Sequence, residues 1–398
     1  MSKVMLAGSG CVPRLLPFPM KIEQRVLSPG GQWPSRPASA ANERPPQLVL
    51  AFGPRESLGD GVFFDRLQSA YPNSHLLIAS GSGSIAGPEI VDDQFVVTAL
   101  TFDQSSVIVA STEIAHREDS FSAGERLATQ LGAPDLVHVF VFADGQLTSG
   151  SQLAQGLNRH LPIGVSVSGG LAGDGVRFQS TLIGLDQSPA SGRVVAIGLA
   201  GSRLRVGSGC GRGWVPFGLE RLVTRSDGPV LHELDGQSSL GLYKNYLGAE
   251  SASLPLSALR FPLLMIPQDG SPAVVRTPHA VNESDGSMSF AGDIPPQARV
   301  RFLRASYQNL VDGAGEAATQ SIAAGEPELV LCVSCVARRV ILGQRTEEEL
   351  ETVRDVIGPA PVIAGFYSYG ELAPSEKQSD CQFHNQTMTI TTLRELPA

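Results

Sequence analysis

Apolar residues in this chain run in short unbroken blocks: Gln47-Leu-Val-Leu-Ala-Phe52, Asp135-Leu-Val-His-Val-Phe140 and Glu328-Leu-Val-Leu-Cys332-Val-Ser-Cys335. Blocks of this length between turn residues predict strands buried on both faces of a sheet. Each is followed by helix-spaced apolar positions, around Phe63 and Leu67, Leu153 and Leu157, and Leu350 and Val353. A second apolar block then ends in a small-residue turn: Ser80-Gly-Ser-Gly83, Ser168-Gly169-Gly170, and Gly365-Phe-Tyr367-Ser-Tyr369-Gly370-Glu371. A Phe/Thr pair opens the next expected strand each time, at Phe95/Thr98, Phe178/Thr181 and Phe383/Thr387. Any two strand-helix-strand units share the first features, so the recurring Phe/Thr pair is what suggests an internal repeat.

Between these units the pattern predicts strands at 94–102, 105–112, 178–186, 193–200 and 203–209, with Gly201-Ser202 as a two-residue hairpin turn. Helices are expected over 120–131, 237–247 and 306–324, and further strands over 219–234, 259–267, 273–276 and 299–305. The fold class that results is α/β: two domains of mixed, largely antiparallel sheets with flanking helices and internal repeats, not a doubly wound sheet. Residues 1–46 read as a linker or extension, rich in Pro, Ser, Gly and Ala over 28–46, with Met20 an alternative start. The domains are expected at 47–250 and 251–398.

Composition narrows the function. A net charge of −9 argues against nucleic-acid and anionic-membrane partners, which need a basic face. No apolar stretch is long enough for a membrane span, so none is expected; a cytoplasmic protein is expected from the cysteine usage. Five cysteines, at 11, 210, 332, 335 and 381, lack a disulfide framework, and Cys332 and Cys335 sit three apart in a strand, facing opposite sides. They are expected to be reduced thiols. Seven scattered histidines form no metal-binding spacing, so neither a metal nor a cofactor is expected. Haem stays open, because one axial histidine needs no motif.

The candidate chemistry gathers at turns. Gly169-Gly170-Leu-Ala-Gly173-Asp174-Gly175 is either an anion-binding nest or a tight turn. Cys335 with His384 has the residue types of a thiolate–imidazole pair but no hydrolase signature, so a pocket-lining cysteine is the simpler reading and a Cys335-dependent hydrolase or transferase the lesser alternative. Arg338 and Arg339 follow a strand, and alternation would point one inward. Arg338 then either grips an anionic group or forms an internal salt bridge with Glu371. Gly211-Arg-Gly213-Trp214-Val-Pro216-Phe-Gly218 either walls a ligand or fills a corner.

Together these motifs resemble the FIST family of bacterial intracellular sensory domains. The first half matches through Gly169-Gly-Leu-Ala-Gly173-Asp174, Gly213-Trp214-Val-Pro216-Phe-Gly218, Val223-Thr224 and Glu233-Leu-Asp235-Gly236. The second matches through Ser334-Cys335-x-x-Arg338, Gly365 to Glu371 and His384-Asn385-x-Thr387. The resemblance implies a non-enzymatic sensor of a small ligand such as an amino acid, acting in signal transduction through a partner such as a histidine kinase of a two-component system. It also implies, as an alternative, a haem-based nitric-oxide sensor. The expected ligand residues are Cys335, Arg338, Tyr367, Tyr369, Glu371 and Asn385, with Ser168, Gly169, Gly170 and Asp174 at the matching place in the first half. Residues 106–186 are expected to superpose on 300–393.

Overall fold

The computed structural model describes residues 20–31, 44–374 and 380–397. Most of the expected linker (32–43) and Cys11 lie outside them. Three of its four sheets follow one plan. In the first, strands Leu48–Gly53 and His75–Ser80 run parallel, joined through helix Val62–Ala70, and Phe95–Thr101 lies antiparallel beside Leu48–Gly53. In the second, Leu136–Ala143 and Ser166–Leu171 are parallel, joined through helix Gly150–His160, with Arg193–Ala200 antiparallel beside them. In the third, Leu329–Cys335 and Val362–Ser368 are parallel, joined through helices Val336–Leu342 and Glu347–Ile357, with Met388–Glu395 antiparallel. An outer strand completes each edge: Lys21–Leu27, Ser106–Glu113 and Leu204–Gly211 respectively. Part of the stretch expected as a linker is therefore an edge strand.

The repeat is thus present, with corrections. The strand that precedes the third unit is Leu204–Gly211, not 299–305. The chain leaves this unit after Gly211 to build the fourth sheet and returns through strand Arg299–Arg304 into helix Tyr307–Ser321. Gly201-Ser202 is likewise a crossover between the second and third sheets, not a hairpin turn, because its flanking strands pair elsewhere. Phe178 and Thr181 open no strand; only Ile183–Leu185 is extended there.

The three sheets exchange strands in a ring. Ser84–Ala86, from the first unit, pairs with Val362–Ser368 of the third. Glu371–Pro374, from the third, pairs with Ser166–Leu171 of the second. Ile183–Leu185, from the second, pairs with His75–Ser80 of the first. Main-chain bonds close the same ring: Ser82 N–H donates to Tyr367 O (2.8 Å), Tyr369 N–H to Leu171 O (3.0 Å) and Gly173 N–H to Ser80 O (3.0 Å). The inner faces share one apolar core, where Phe52, Phe142 and Phe366, one per unit, stand 4.8 to 6.0 Å apart. The outer faces pack on the helices, which is why the strand blocks are apolar throughout.

Helix Tyr307–Ser321 lies in a groove made by glycine. A Cβ added at Gly207, Gly209, Gly211 or Gly213 would sit 1.7 to 2.0 Å from the carbonyl oxygens of Ser321, Ala317, Gly313 and Asn309, in that order. Every second residue of the strand meets every fourth of the helix, because two strand residues and four helix residues cover similar lengths, roughly 6–7 Å. The fourth sheet forms a body of its own around helix Ser239–Leu247. Residue 250 falls inside this body, whose strand Val230–Leu234 pairs with Ser287–Phe290.

Candidate functional site

In sheets with parallel strands, ligands collect at the strands' carboxyl ends. In the third unit those ends are Cys335 and Ser368, and Glu371 follows directly after the Gly370 turn. The Glu371 side chain is enclosed; Oε1 accepts from Ser368 Oγ (2.7 Å), and Oε2 from Thr387 Oγ1 (2.7 Å) and N–H (3.2 Å). Its main chain pairs with Gly170 on one side and His384 on the other. Burial pushes its carboxyl up to about 7, although the Thr387 and Ser368 bonds favour the ionised form. Glu371 and Gly170, drawn from both halves of the sequence, therefore meet in one strand pairing, and Thr387, which holds the Glu371 carboxylate, also accepts from Cys335 N–H (3.1 Å). Burial, reinforced by the Glu371 charge, pushes the Cys335 thiol far up, and burial pushes Cys332 up to about 12, so neither is a ready thiolate.

Glu371 gives a testable pH dependence. Its folded-state pKa lies above the ordinary 4.5, so between about 4.5 and 7 the folded chain holds this proton more tightly than the unfolded chain does. Its contribution is therefore present at low pH and lost as pH rises through 7. In urea melts from pH 4 to 8, Glu371→Gln should gain on wild type by up to about 3 kcal/mol. Parallel stability curves for the two proteins would contradict this.

Beside Glu371 the third unit meets the inserted body. Asn385 Oδ1 accepts from Thr277 N–H (3.4 Å), Gln386 Nε2–H donates to Leu259 O (2.8 Å), and Trp214 Nε1–H donates to Gln386 O (3.0 Å). Trp214 thus fastens this seam. Arg276, 4% exposed, spans it: Nε–H donates to Asp293 O and Nη1–H to Val275 O and Phe383 O. Several buried atoms here have no hydrogen-bond partner among the described residues, including His384 Nδ1, Thr277 Oγ1, Gln386 Oε1 and Arg212 Nε. Burial, with Arg212 and Arg276 nearby, drops His384 to about 3, so the imidazole is neutral. Its Nε2 faces Ala373 O (3.3 Å), which makes Nε2 the donor and leaves Nδ1 an open acceptor. Orphaned buried polar groups are uncommon in folded proteins, and one use for them is a ligand.

The other predicted residues lie around this point. Asp174 closes its own loop, accepting from the N–H groups of Phe178, Gln179 and Ser180 (2.9 to 3.0 Å) and from the Tyr369 hydroxyl, on which the Phe178 ring stacks. The amides of Leu171 to Gly175 are spent elsewhere, on Gly370 O, Ala143 O, Ser80 O, Tyr369 Oη and Ser82 Oγ in that order. Gly169 and Gly170 answer to packing: a Cβ at Gly169 would reach 1.9 Å from Val141 O, and one at Gly170 2.8 Å from Val333 Cγ1. Ser168 Oγ lies deeper, between His138 Nε2 (2.9 Å) and Thr391 Oγ1 (2.6 Å).

Arg338 and Arg339 are on helix Val336–Leu342, not in the strand, so strand alternation does not govern them. Arg338 is fully buried and pairs with Glu349, not Glu371: Nε and Nη2 donate to Glu349 Oε2 (3.1 and 2.9 Å). Its Nη1 and Nη2 also donate to Arg212 O and Leu310 O. Glu349 Oε1 accepts from Ser334 Oγ (3.0 Å) and the Tyr367 hydroxyl (2.8 Å). Arg338 and Tyr367 thus stand in one buried network. Arg339 turns instead to Ser82 O and Asp92.

Glu349, Arg276 and Thr277 escaped the sequence reading. Glu349 carried a signal, because it stands four residues before the core position Val353 and so shares its helix face. Arg276 and Thr277 carried none, since only the chain's return from the inserted sheet places them here. For haem, both His138 nitrogens are held by Ser166 and Ser168, whereas His384 has only Nε2 engaged, on Ala373 O, and keeps Nδ1 open. Among the described residues no three His, Cys, Asp or Glu side chains group as metal ligands. No described helix is long and apolar enough to cross a membrane, which says nothing of strands.

The FIST N domain model matches residues 47–237 and the FIST C domain model residues 239–374. An uncharacterized protein of Methanocaldococcus jannaschii is 26% identical over 212 residues, 50% of this chain and 40% of that one. An uncharacterized protein of Mycobacterium tuberculosis is 26% identical over 236 residues, 56% of this chain and 59% of that one. The chain therefore spans about half the length of these relatives. The crystal structure of a cyanuric acid hydrolase from A. caulinodans aligns over 94% of this chain and 99% of that one, at 9% identity and a TM-score of 0.34, which carries no argument about activity.

Proposed function

Because the chain belongs to the FIST family, whose domains are sensory domains of signal transduction, we propose that it is a cytoplasmic, non-enzymatic sensor of a small polar molecule bound at the seam between the third unit and the inserted body. One observation carries this reading: buried polar atoms without partners gather at a boundary between two separately cored bodies. A ligand bridging such a boundary changes how firmly the two bodies hold together, and that difference is what a partner protein reads. A histidine kinase or another signalling protein is the expected partner. An amino acid has the required polarity, with donors for His384 Nδ1 and acceptors for Arg276 and Thr277. The enclosed, proton-holding thiol of Cys335 supports a lining role over a nucleophilic one.

Native mass spectrometry of freshly purified full chain, followed by a thermal-shift panel of amino acids, tests the reading. A small molecule that leaves on denaturation and raises Tm when added back is the expected result. A Soret band in the same sample would replace the ligand with haem. Only the bare polypeptide mass, with no Tm shift across the panel, would overturn the proposal.

A further inference from the structure

We infer that the seam contains an anion site in which Arg276 grips the ligand at the N-terminus of helix Gly150–His160. This rests on the seam being the ligand site and adds the charge class and the recognising residues. Arg276 is buried, yet among the described residues no carboxylate bonds its guanidinium. Asp293 attracts it only through space, and its bonded partners are three carbonyl oxygens and, at 3.5 Å from Nη2, Ser151 Oγ. A buried cation without a bonded counter-ion is costly.

The partner it approaches makes the arrangement stranger. Ser151 stands in the first turn of an 11-residue helix capped by Ser149. That end carries the positive pole of the helix dipole, which favours anions and disfavours a guanidinium. Two positive features thus face each other with no bonded negative group between them. Two further buried polar atoms adjoin these groups in sequence. Among the described residues Thr277 Oγ1, on the residue next to Arg276, has no partner, and neither does Thr148 Oγ1, one residue before the helix cap. Both residues are more than nine-tenths buried. A carboxylate or phosphate would neutralise the guanidinium, sit on the favourable end of the dipole and offer acceptors to these hydroxyls. The ring of Phe383, 6.0 Å from the guanidinium carbon, walls the site, and Gly150 admits that ring because a Cβ there would lie 2.2 Å from it.

The test is isothermal titration of the full chain with acetate and with inorganic phosphate, at ionic strength fixed by chloride, and with methylammonium as a cationic control. Wild type should bind at least one of the two anions and not methylammonium. Arg276→Gln should bind that anion at least tenfold more weakly, the loss expected when a charge-assisted bond goes. Thr277→Val and Thr148→Val should each weaken it severalfold, and circular dichroism checks that each variant is folded. If Arg276→Gln fails to fold, the two threonine variants decide. Binding unchanged in the folded variants, or no binding of either anion by wild type, overturns the inference. If wild type instead binds methylammonium, or a neutral or cationic molecule recovered from the purified protein, the seam remains the ligand site and only the anion assignment falls.

Discussion

Arg338→Met should destabilise the chain by about 3–5 kcal/mol, the usual result of removing one partner of a fully buried ion pair. Glu349 would then keep its charge in the core with only the Ser334 and Tyr367 hydroxyls to stabilise it, and the carbonyls of Arg212 and Leu310 would lose their donor. Those two carbonyls belong to the link into the inserted body and to helix Tyr307–Ser321, so the damage spreads beyond the pair. The double variant Arg338→Met/Glu349→Met should recover most of the loss, because it removes both charges together. Urea unfolding of wild type, both single variants and the double variant measures this as a cycle. Additive losses would show that the two residues do not act as a pair. Loss of ligand affinity at unchanged stability would return Arg338 to the binding role that its sequence position suggests.

The glycine groove gives the second large effect. Gly209→Ala should cost about 3 kcal/mol or more, at the upper end for over-packed cores. The new methyl carbon would sit 1.9 Å from the Ala317 carbonyl oxygen, a main-chain atom in the middle of a helix that has no rotamer to change. Helix Tyr307–Ser321 would have to lift from the sheet and loosen Arg338, which donates to Leu310 O. Ser208→Ala, the neighbouring half-buried position, should cost under about 1 kcal/mol. Equal urea midpoints for the two variants would contradict the groove.

The elements were legible in the sequence wherever burial wrote a periodic pattern. Leu48–Gly53, Leu136–Ala143 and Leu329–Cys335 are apolar throughout because each lies between the shared core and a helix layer. The three-unit repeat rests on these blocks and not on the Phe/Thr pair that suggested it: Phe178 and Thr181 open no strand, and Phe383 lies in strand Cys381–His384 while Thr387 precedes Met388–Glu395. The closure of the repeat was not legible. The exchanged strands Ser84–Ala86, Ile183–Leu185 and Glu371–Pro374 are three or four residues long, and their partners are distant in sequence, so no local pattern marks them. The groove did leave a trace: glycine at every second position from 207 to 213, and the small residues Gly313, Ala317 and Ser321 at every fourth. The site was half legible. Turn residues pointed to Glu371, which pairs with Gly170 across the two halves, and to Asp174, which bonds Tyr369 across them. Arg338 looked like a ligand residue because it follows an apolar strand beside a cysteine; its partner, Glu349, was hidden in an acidic run whose other members face solvent. Arg276 was unreadable, since its place depends on a sheet inserted between two parts of one unit.

The central claim is that a small ligand binds where the inserted body meets the third unit. Hydrogen–deuterium exchange of the full chain, with and without the small molecule recovered by native mass spectrometry, tests it most directly. The account predicts slower exchange in peptides covering 274–277 and 381–387, on the two sides of the seam, together with the first turn of helix Gly150–His160. Protection confined elsewhere, for example to the Asp174 loop at 172–182, with the seam peptides unchanged, would contradict it.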